Sequence, residues 1–389
     1  MNSDSYCVLP WVGSAVSTEG KVVPCCRWMG PHGNMENAPD IDNGLVNARN
    51  SKFWQNIRQE MLEGTKPTGC KRCWEEEKVK GTTGGYRTYI TELYKITTFE
   101  NSPTKIRFLE TGISSLCNFA CIMCNAITSS TIHTVMRPKV KVPKGFHKSN
   151  ENIDDDLSEL QQLKILGGEP MLEIKHDEFL EKVISLNNNP SNLEIEYHTN
   201  ASIFPSKQVI NCWKKVKSVR IIFSLDGVLD KATLQRPGRY KWEDVEATVN
   251  KYVQLTNEVN IIFSSNTVLT ALNIGQVTDV ADWLYSKIGK QSLGWFHVNP
   301  INSERFPYID FRNLSKETKD KIKTEWKQWE STNPPVLESK IATIYTKAKD
   351  VIDETGTLDY PLTKEIILEK HHMNNLWKHF KEDLGLLNI

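Results

Sequence analysis

The sequence predicts an α/β fold: a partial, open (β/α)6 barrel over residues 101–300, preceded by a cysteine-rich segment (1–100) and followed by a helical extension (301–389). Three observations carry this. Six short runs rich in Ile, Val, Leu and Phe recur across the central region. Helical stretches separate most of them one at a time, the pattern of parallel βαβ units. Short motifs of cysteine, glycine and acid follow directly after the runs, at the strand ends where a parallel sheet places its ligand site.

The runs are KIRFLET (105–111), LKIL (163–166), LEIEYHT (193–199), SVRIIFSL (218–225), VNIIFSSNTVL (259–269) and LGWFHVN (293–299). Helices are expected at HDEFLEKVISLN, KQVINCWKKV, KWEDVEATVNKYVQL and NIGQVTDVADWLYSKI. Cys212 lies on the second of these and is expected as a buried thiol. In the N-terminal segment Gly20 and Pro24 bracket a short strand, KVV, and GTTGGYRTYITELYK reads as a glycine-rich linker running into a helix. Residues 137–156 place five cationic residues before three aspartates. They read as a solvated loop, or alternatively as a lid that meets an anionic substrate. Beyond residue 301 an aromatic irregular stretch leads into a charged helix, SKETKDKIKTEWKQW, which Pro334-Pro335 end. EKHHMNNLWKHFKEDLGLL reads as a closing amphipathic helix. Adjacent His371 and His372 face different sides of it, as an exposed pair rather than a metal site.

The 389 residues carry 48 basic and 48 acidic side chains, a formal net charge of zero. Such a balance supplies no field to draw nucleic acid or an anionic membrane surface. Nine cysteines, unevenly placed, do not make a disulfide scaffold. No signal-peptide pattern and no apolar run of membrane-spanning length are visible. The expectation is a cytoplasmic protein with neither a membrane nor a nucleic-acid partner.

The decisive stretch is CNFACIMC, which sets Cys117, Cys121 and Cys124 in C-x3-C-x2-C spacing after the first strand. No cysteine follows until Cys212. Three thiolates on an iron–sulfur cluster leave one iron open for chemistry; a zinc knuckle or three buried thiols is the alternative. Gly167-Gly168-Glu169 follows the second strand, His198-Thr199-Asn200 ends the third, Ser224-Leu225-Asp226-Gly227 ends the fourth, and Arg236 follows in QRPG. The glycines let backbone approach a ligand, and the glutamate suits an ammonium group.

The spacing and the order of these motifs resemble the radical S-adenosylmethionine (SAM) superfamily. That resemblance implies a [4Fe–4S] cluster on Cys117, Cys121 and Cys124, and SAM chelated at its open iron. It implies that Gly167, Gly168 and Glu169 receive the SAM amino group. It also implies that Asn200, Ser224 and Asp226 lie at the ribose and Arg236 at the carboxylate. Met123 stands where the family usually has an aromatic beside the adenine, a departure.

The N-terminal segment carries Cys7, the pair Cys25-Cys26, and Cys70-x2-Cys73. The pattern resembles the SPASM and Twitch auxiliary-cluster modules, which usually follow the barrel instead of preceding it. One second [4Fe–4S] cluster is implied, on Cys7, Cys25, Cys70 and Cys73, with Cys26 as substitute for Cys25. A structural zinc is the alternative.

Strand periodicity places Glu196 with His198 and Asn200, Arg220 with Ser224 and Asp226, and His297 with Asn299. If the SAM-contacting faces point inward, Glu196, Arg220 and His297 face the cavity. They are candidate substrate contacts, or alternatively a self-satisfied polar network. The resemblance implies reductive cleavage of SAM to a 5′-deoxyadenosyl radical that takes hydrogen from a polar, peptidyl substrate. The electron would come from a donor such as flavodoxin or ferredoxin. The alternatives are the same chemistry on a sugar or nucleotide-like small molecule, or a non-catalytic metal-binding interaction protein.

Overall fold

All six apolar runs fold as strands. The computed structural model of the chain describes residues 5–28, 35, 37–80, 85–94, 105–136, 157–289, 293–302, 304–332, 348–370 and 378. The strands are β1 (Gly13–Val16), β2 (Val22–Val23), β3 (Phe108–Gly112), β4 (Gln162–Leu166), β5 (Glu194–Thr199), β6 (Ser218–Ser224), β7 (Ile261–Leu269) and β8 (Leu293–Pro300). Their order is β2-β1-β3-β4-β5-β6-β7-β8, an open sheet. β1–β3, β3–β4, β6–β7 and β7–β8 pair in parallel, and β1–β2 antiparallel.

Among the described residues the sheet holds eight strands, the six barrel runs and two from the N-terminal segment. β2 is the KVV strand, but β1 is new, and it pairs in parallel with β3 through Ser14↔Leu109 and Ala15↔Glu110. The N-terminal segment therefore contributes strands to the sheet itself. β1 lacks an alternating signature because all four of its residues are buried, so its small side chains give no period-2 signal.

The chain forms two compact units. The first comprises Met1–Ser115, Val142–Glu196 and Lys207–Ser218; the second comprises Leu116–Lys141, Tyr197–Ser206 and Val219–Ile389.

In the first unit the core gathers Val8, Leu9, Val12, Ala15, Val23, Ile57, Met61 and Phe108. Full burial of such side chains contributes about 1.5–3 kcal/mol each. Helix α1 (Leu9–Val12) is one turn long and leaves carbonyls that its own ladder does not satisfy. Arg49, at the end of α2 (Leu45–Arg49), donates to Trp11 O at 2.6 Å and Gly13 O at 3.1 Å. Arg58, on α3 (Lys52–Leu62), donates to Pro10 O at 2.8 Å. Burial, then neighbouring Arg58, lowers Arg49 to about 9, so its charge is held at a cost that the carbonyl bonds offset. Helices α4 (Lys71–Lys80) and α5 (Tyr86–Tyr94) complete the N-terminal part. The linker expectation thus meets a helix from Tyr86, with 81–84 and 95 outside the described residues.

The second unit holds α6 (Ser130–Met136), a short α9 (Ala232–Gln235), and α10 (Trp242–Leu255) beside α11 (Val277–Ile288). The last two meet through Trp242 and Trp283, rings 4.9 Å apart and edge to face. α12 (Lys316–Thr332) is the charged C-terminal helix. Helices α7 (His176–Leu186) and α8 (Lys207–Trp213) belong to the first unit, and α8 buries Cys212 at 1% exposure. The 137–156 loop, Pro334-Pro335 and His371-His372 lie outside the described residues. Among the described residues, no helix is long and apolar enough to cross a membrane.

Candidate functional site

After β3 the chain runs through Cys117–Cys124 as turns, and its polar groups are met from two sides. Asn125 Oδ1 accepts from Ile127 N at 2.8 Å and Thr128 N at 3.1 Å, a side-chain turn leading into α6. Ser129 Oγ donates to Phe119 O at 2.8 Å, and Ser130 Oγ to Cys117 O at 3.3 Å. On the other side the loop lies against the QRPG segment. Ala120 N donates to Pro237 O at 2.6 Å, Ile122 N to Gln235 O at 3.0 Å, and Arg239 N to Asn118 O at 3.1 Å. Phe119 stacks on Tyr240 at 3.8 Å. Gly238 permits this approach, since a Cβ there would meet Asn118 O at 2.7 Å.

Each of the three sulfurs has a polar neighbour. Phe119 N donates to Cys117 Sγ at 3.4 Å, and Arg236 Nη1 donates to Cys121 Sγ at 3.5 Å. Thr128 Oγ1 lies 3.1 Å from Cys124 Sγ. Burial pushes the Cys121 thiol up to about 12, and the Arg236 charge opposes the shift. Arg236 Nε lies 2.6 Å from Asp226 Oδ2, an ion pair without hydrogen-bond alignment. Burial disfavours the Arg236 charge, but Asp226 and then Cys121 outweigh it and hold the pKa above its ordinary value. Burial raises the Asp226 carboxyl, against the pull of Arg236 and of Val268 N, which donates to Oδ1 at 2.7 Å. The result is a chain of contacts from β7 through Asp226 and Arg236 to Cys121.

Among the described residues, no three His, Cys, Asp or Glu side chains stand in metal-binding geometry. The fit to an iron–sulfur cluster rests on the donor set: three half-buried thiols in one loop, supplied with N–H and cationic donors that favour thiolate.

Asn200 belongs to the same unit. Its Nδ2 donates to Asn118 Oδ1 at 3.0 Å, and its Oδ1 accepts from Ser202 Oγ at 2.6 Å. Asn118 Nδ2 donates to Ser202 Oγ at 2.8 Å. This triangle ties the Thr-Asn motif to the residue after Cys117. Asn118, Ser202, Gly238 and Tyr240 were not singled out from sequence; only the polar Asn118 inside the cysteine motif offered a signal. Met123 is half-buried in the loop turn, and Ser224 is half-buried at the end of β6. Arg220, on β6, donates to Ser264 Oγ at 3.4 Å. His297 lies on β8 with Asn266 as its register partner.

In the first unit the Gly-Gly-Glu motif forms the turn after β4. Gly167 has φ +136°, and a Cβ there would overlap Ser114 O. Gly168 N donates to that carbonyl at 2.7 Å. Glu169 is 1% exposed and accepts from Met171 N at 3.2 Å.

Cys7, Cys25 and Cys73 are buried, and Cys70 packs on the same core that holds Cys7 and Cys25. Burial pushes the Cys7 thiol up to about 12, with Cys73 adding to it. Burial likewise raises Cys70, with Cys7 and Cys73 adding. Burial raises Cys25, then Cys26, Cys7 and Cys70 add. Cys26 instead is exposed, with Glu110 and Lys164 as its charged neighbours. Glu196, on β5, ion-pairs with Lys164 at 3.6 Å.

Residues 112–284 match the family model described as Radical SAM superfamily. This stretch is similar to that superfamily over less than half of the chain. It runs from the end of β3 into α11 and includes every barrel motif residue named above, apart from His297. No curated protein matches the chain. Among solved structures, SuiB of Streptococcus suis bound to S-adenosylmethionine is 15% identical, with 65% of this chain and 52% of that chain covered and a TM-score of 0.33. Native anSMEcpe with bound AdoMet is 20% identical, covering 58% and 61%, with a TM-score of 0.40. The chain thus spans about half to three fifths of the length of these structures, and scores of this size establish no common whole-chain architecture.

Proposed function

We propose that the protein reductively cleaves SAM and abstracts hydrogen from a polar peptide substrate. The observation that carries this reading is the Cys117–Cys124 loop, clamped by the 235–240 segment with a guanidinium aimed at Cys121. When bound, a [4Fe–4S] cluster and SAM supply an electron and a 5′-deoxyadenosyl radical able to take hydrogen from an unactivated carbon.

The chain's own residues hold and orient. Cys117, Cys121 and Cys124 ligate the cluster. Arg236 stabilises Cys121 as thiolate, and Asp226 keeps Arg236 charged. Glu169, buried, accepts the ammonium of SAM, and Gly167 and Gly168 admit it without a Cβ in the way. Asn200 and Ser224 are assigned to the ribose and Met123 to the adenine. Cys7, Cys25, Cys70 and Cys73 are the preferred ligands of a second cluster, with zinc the alternative; the burial of Cys7, Cys25 and Cys73 and the packing of Cys70 on the core that holds Cys7 and Cys25 support that set, and the exposure of Cys26 argues against it as a ligand. The peptide reading rests on this second site. A flavodoxin- or ferredoxin-like protein would supply the electron.

The test is 5′-deoxyadenosine release from SAM by anaerobically reconstituted, dithionite-reduced protein, with Cys121→Ala in parallel. The wild type is expected to release it and Cys121→Ala to release none. Cluster-replete wild type that leaves SAM intact would overturn the reading.

A further inference from the structure

The Cys117–Cys124 loop and the 235–239 segment of the second unit run antiparallel in a fixed register. Phe119 and Gly238 form a bridge. Arg239 N donates to Asn118 O at 3.1 Å and Ala120 N to Pro237 O at 2.6 Å on its two sides, and Ile122 N donates to Gln235 O at 3.0 Å one step further along. That register sets Cys121 opposite Arg236. Directly opposed residues of an antiparallel pair point their side chains to the same face, so Arg236 Nη1 reaches Cys121 Sγ at 3.5 Å although the two are 115 residues apart in sequence. Pro237 has no N–H to return a bond to Ala120. Beyond the Phe119–Gly238 bridge, the bond accepted by Gln235 O therefore carries the register on to Cys121 and Arg236.

Gln235 is buried and ends α9, a single turn too short to hold its own end. Its side chain supplies the anchor. Nε2 donates to Val268 O at 3.3 Å, and Oε1 accepts from Thr270 Oγ1. Asn273 ties the same two residues together: its Nδ2 donates to Val268 O at 2.9 Å and its Oδ1 accepts from Thr270 N at 2.8 Å. Gln235 is thus bonded to a turn that is itself fixed at the end of β7. Val268 N donates to Asp226 Oδ1 at 2.7 Å, and Asp226 Oδ2 lies 2.6 Å from Arg236 Nε. The N–H and the C=O of one β7 residue therefore hold both ends of the arginine: its guanidinium through Asp226, and its backbone through Gln235.

We propose that Gln235 is a positioning residue: by tying its own peptide to β7 it keeps the Arg236 guanidinium on Cys121 Sγ, and so makes a cluster held by Cys117, Cys121 and Cys124 easier to reduce. One-electron reduction of a [4Fe–4S] cluster from its 2+ to its 1+ state adds one negative charge and moves no proton. A cationic hydrogen-bond donor on a ligating sulfur favours the more negative state. The inference rests on the reading of these three cysteines as cluster ligands and adds to it a residue that touches neither sulfur nor SAM. A charge-assisted hydrogen bond is worth roughly tenfold in an equilibrium constant.

The experiment is a redox titration of the full-length, anaerobically reconstituted protein without SAM, with dithionite as reductant and the reduced cluster followed by electron paramagnetic resonance. The signal scored is the one missing from the Cys117→Ala/Cys121→Ala/Cys124→Ala variant. Arg236→Gln should lower the equilibrium constant for reduction about tenfold, a shift of about 59 mV to lower potential for one electron. Gln235→Leu should shift it in the same direction by roughly threefold or more. The double variant Gln235→Leu/Arg236→Gln should lie no lower than Arg236→Gln alone, because the glutamine acts through the guanidinium; a general loosening of the loop would add to the shift instead. Thr270→Val removes only the hydroxyl bonded to Gln235 and serves if Gln235→Leu does not fold or hold iron; its shift should have the same sign and be smaller. A potential unmoved in Gln235→Leu, or in Thr270→Val where that variant stands in, would overturn the proposal and leave the cluster in place. So would shifts that add in the double variant. Absence of any signal that depends on the three cysteines would remove the cluster reading itself, and the proposal with it.

Discussion

Gly167→Ala should be among the most damaging single-methyl changes in the first unit. Gly167 sits at φ +136°, outside the range L side chains ordinarily occupy. That alone costs about 1–2 kcal/mol. The added Cβ would also overlap Ser114 O, a backbone atom that cannot rotate away. The same carbonyl accepts Gly168 N at 2.7 Å and is fixed by it. Relieving the overlap must therefore move the turn after β4 or the chain after β3, an overpacking cost of about 1–3 kcal/mol. The sum is roughly 2–5 kcal/mol. Gly64→Ala isolates the first contribution: Gly64 has φ +79° with nothing within 4 Å of its ideal Cβ, so it should cost only about 1–2 kcal/mol. Urea unfolding followed by tryptophan fluorescence gives both values from the shift in midpoint at constant slope. If the two variants lose the same stability, the close approach at Ser114 is not what makes Gly167 a glycine.

Arg236→Met should leave Asp226, whose side chain is fully buried, without its cation. Stability should fall by roughly 3 kcal/mol at pH 7 and by less as the pH is lowered, since burial raises the Asp226 carboxyl and protonation removes its uncompensated charge; a loss independent of pH would show that the ion pair is not the cause. His176 is buried, and desolvation lowers its pKa to about 4. The unfolded chain, titrating near 6.5, then binds the extra proton between pH 6.5 and 4, so stability is present above that window and is lost as pH falls through it. Between pH 7 and 5 this amounts to about 2 kcal/mol, which urea midpoints should show for wild type and not for His176→Gln. Gly238→Ala should loosen the Cys117–Cys124 loop and lower iron retention during gel filtration after reconstitution, because its Cβ would press on Asn118 O at 2.7 Å; unaltered retention would mean the loop does not depend on that clamp.

The six barrel strands were legible because hydrophobic pattern and length agree. β5 shows why: Ile195, Tyr197 and Thr199 are buried while Glu194, Glu196 and His198 are half-buried, the alternation its sequence carries. β1 was not legible, since it is short, buried throughout and free of alternation. The cysteine loop announced itself by spacing, but its clamp did not. Cys121 and Arg236 are 115 residues apart, and nothing local in QRPG says that Gly238 exists to admit the Asn118 carbonyl. The choice between Cys25 and Cys26 was equally hidden. Adjacent residues leaving a strand point to opposite sides, and only the fold shows that Cys25 is buried while Cys26 is exposed. Glu196 could be placed on a polar face from periodicity, whereas its ion pair with Lys164 required β4 to lie beside β5.

Iron and acid-labile sulfide, counted after anaerobic reconstitution of the wild type and of the Cys117→Ala/Cys121→Ala/Cys124→Ala variant, test the central claim most directly. A cluster on this loop predicts about four irons lost in the variant, from about eight if the N-terminal cysteines hold a second cluster or from about four if they hold zinc. A wild type that binds no iron, or a variant that binds as much as the wild type, would contradict it.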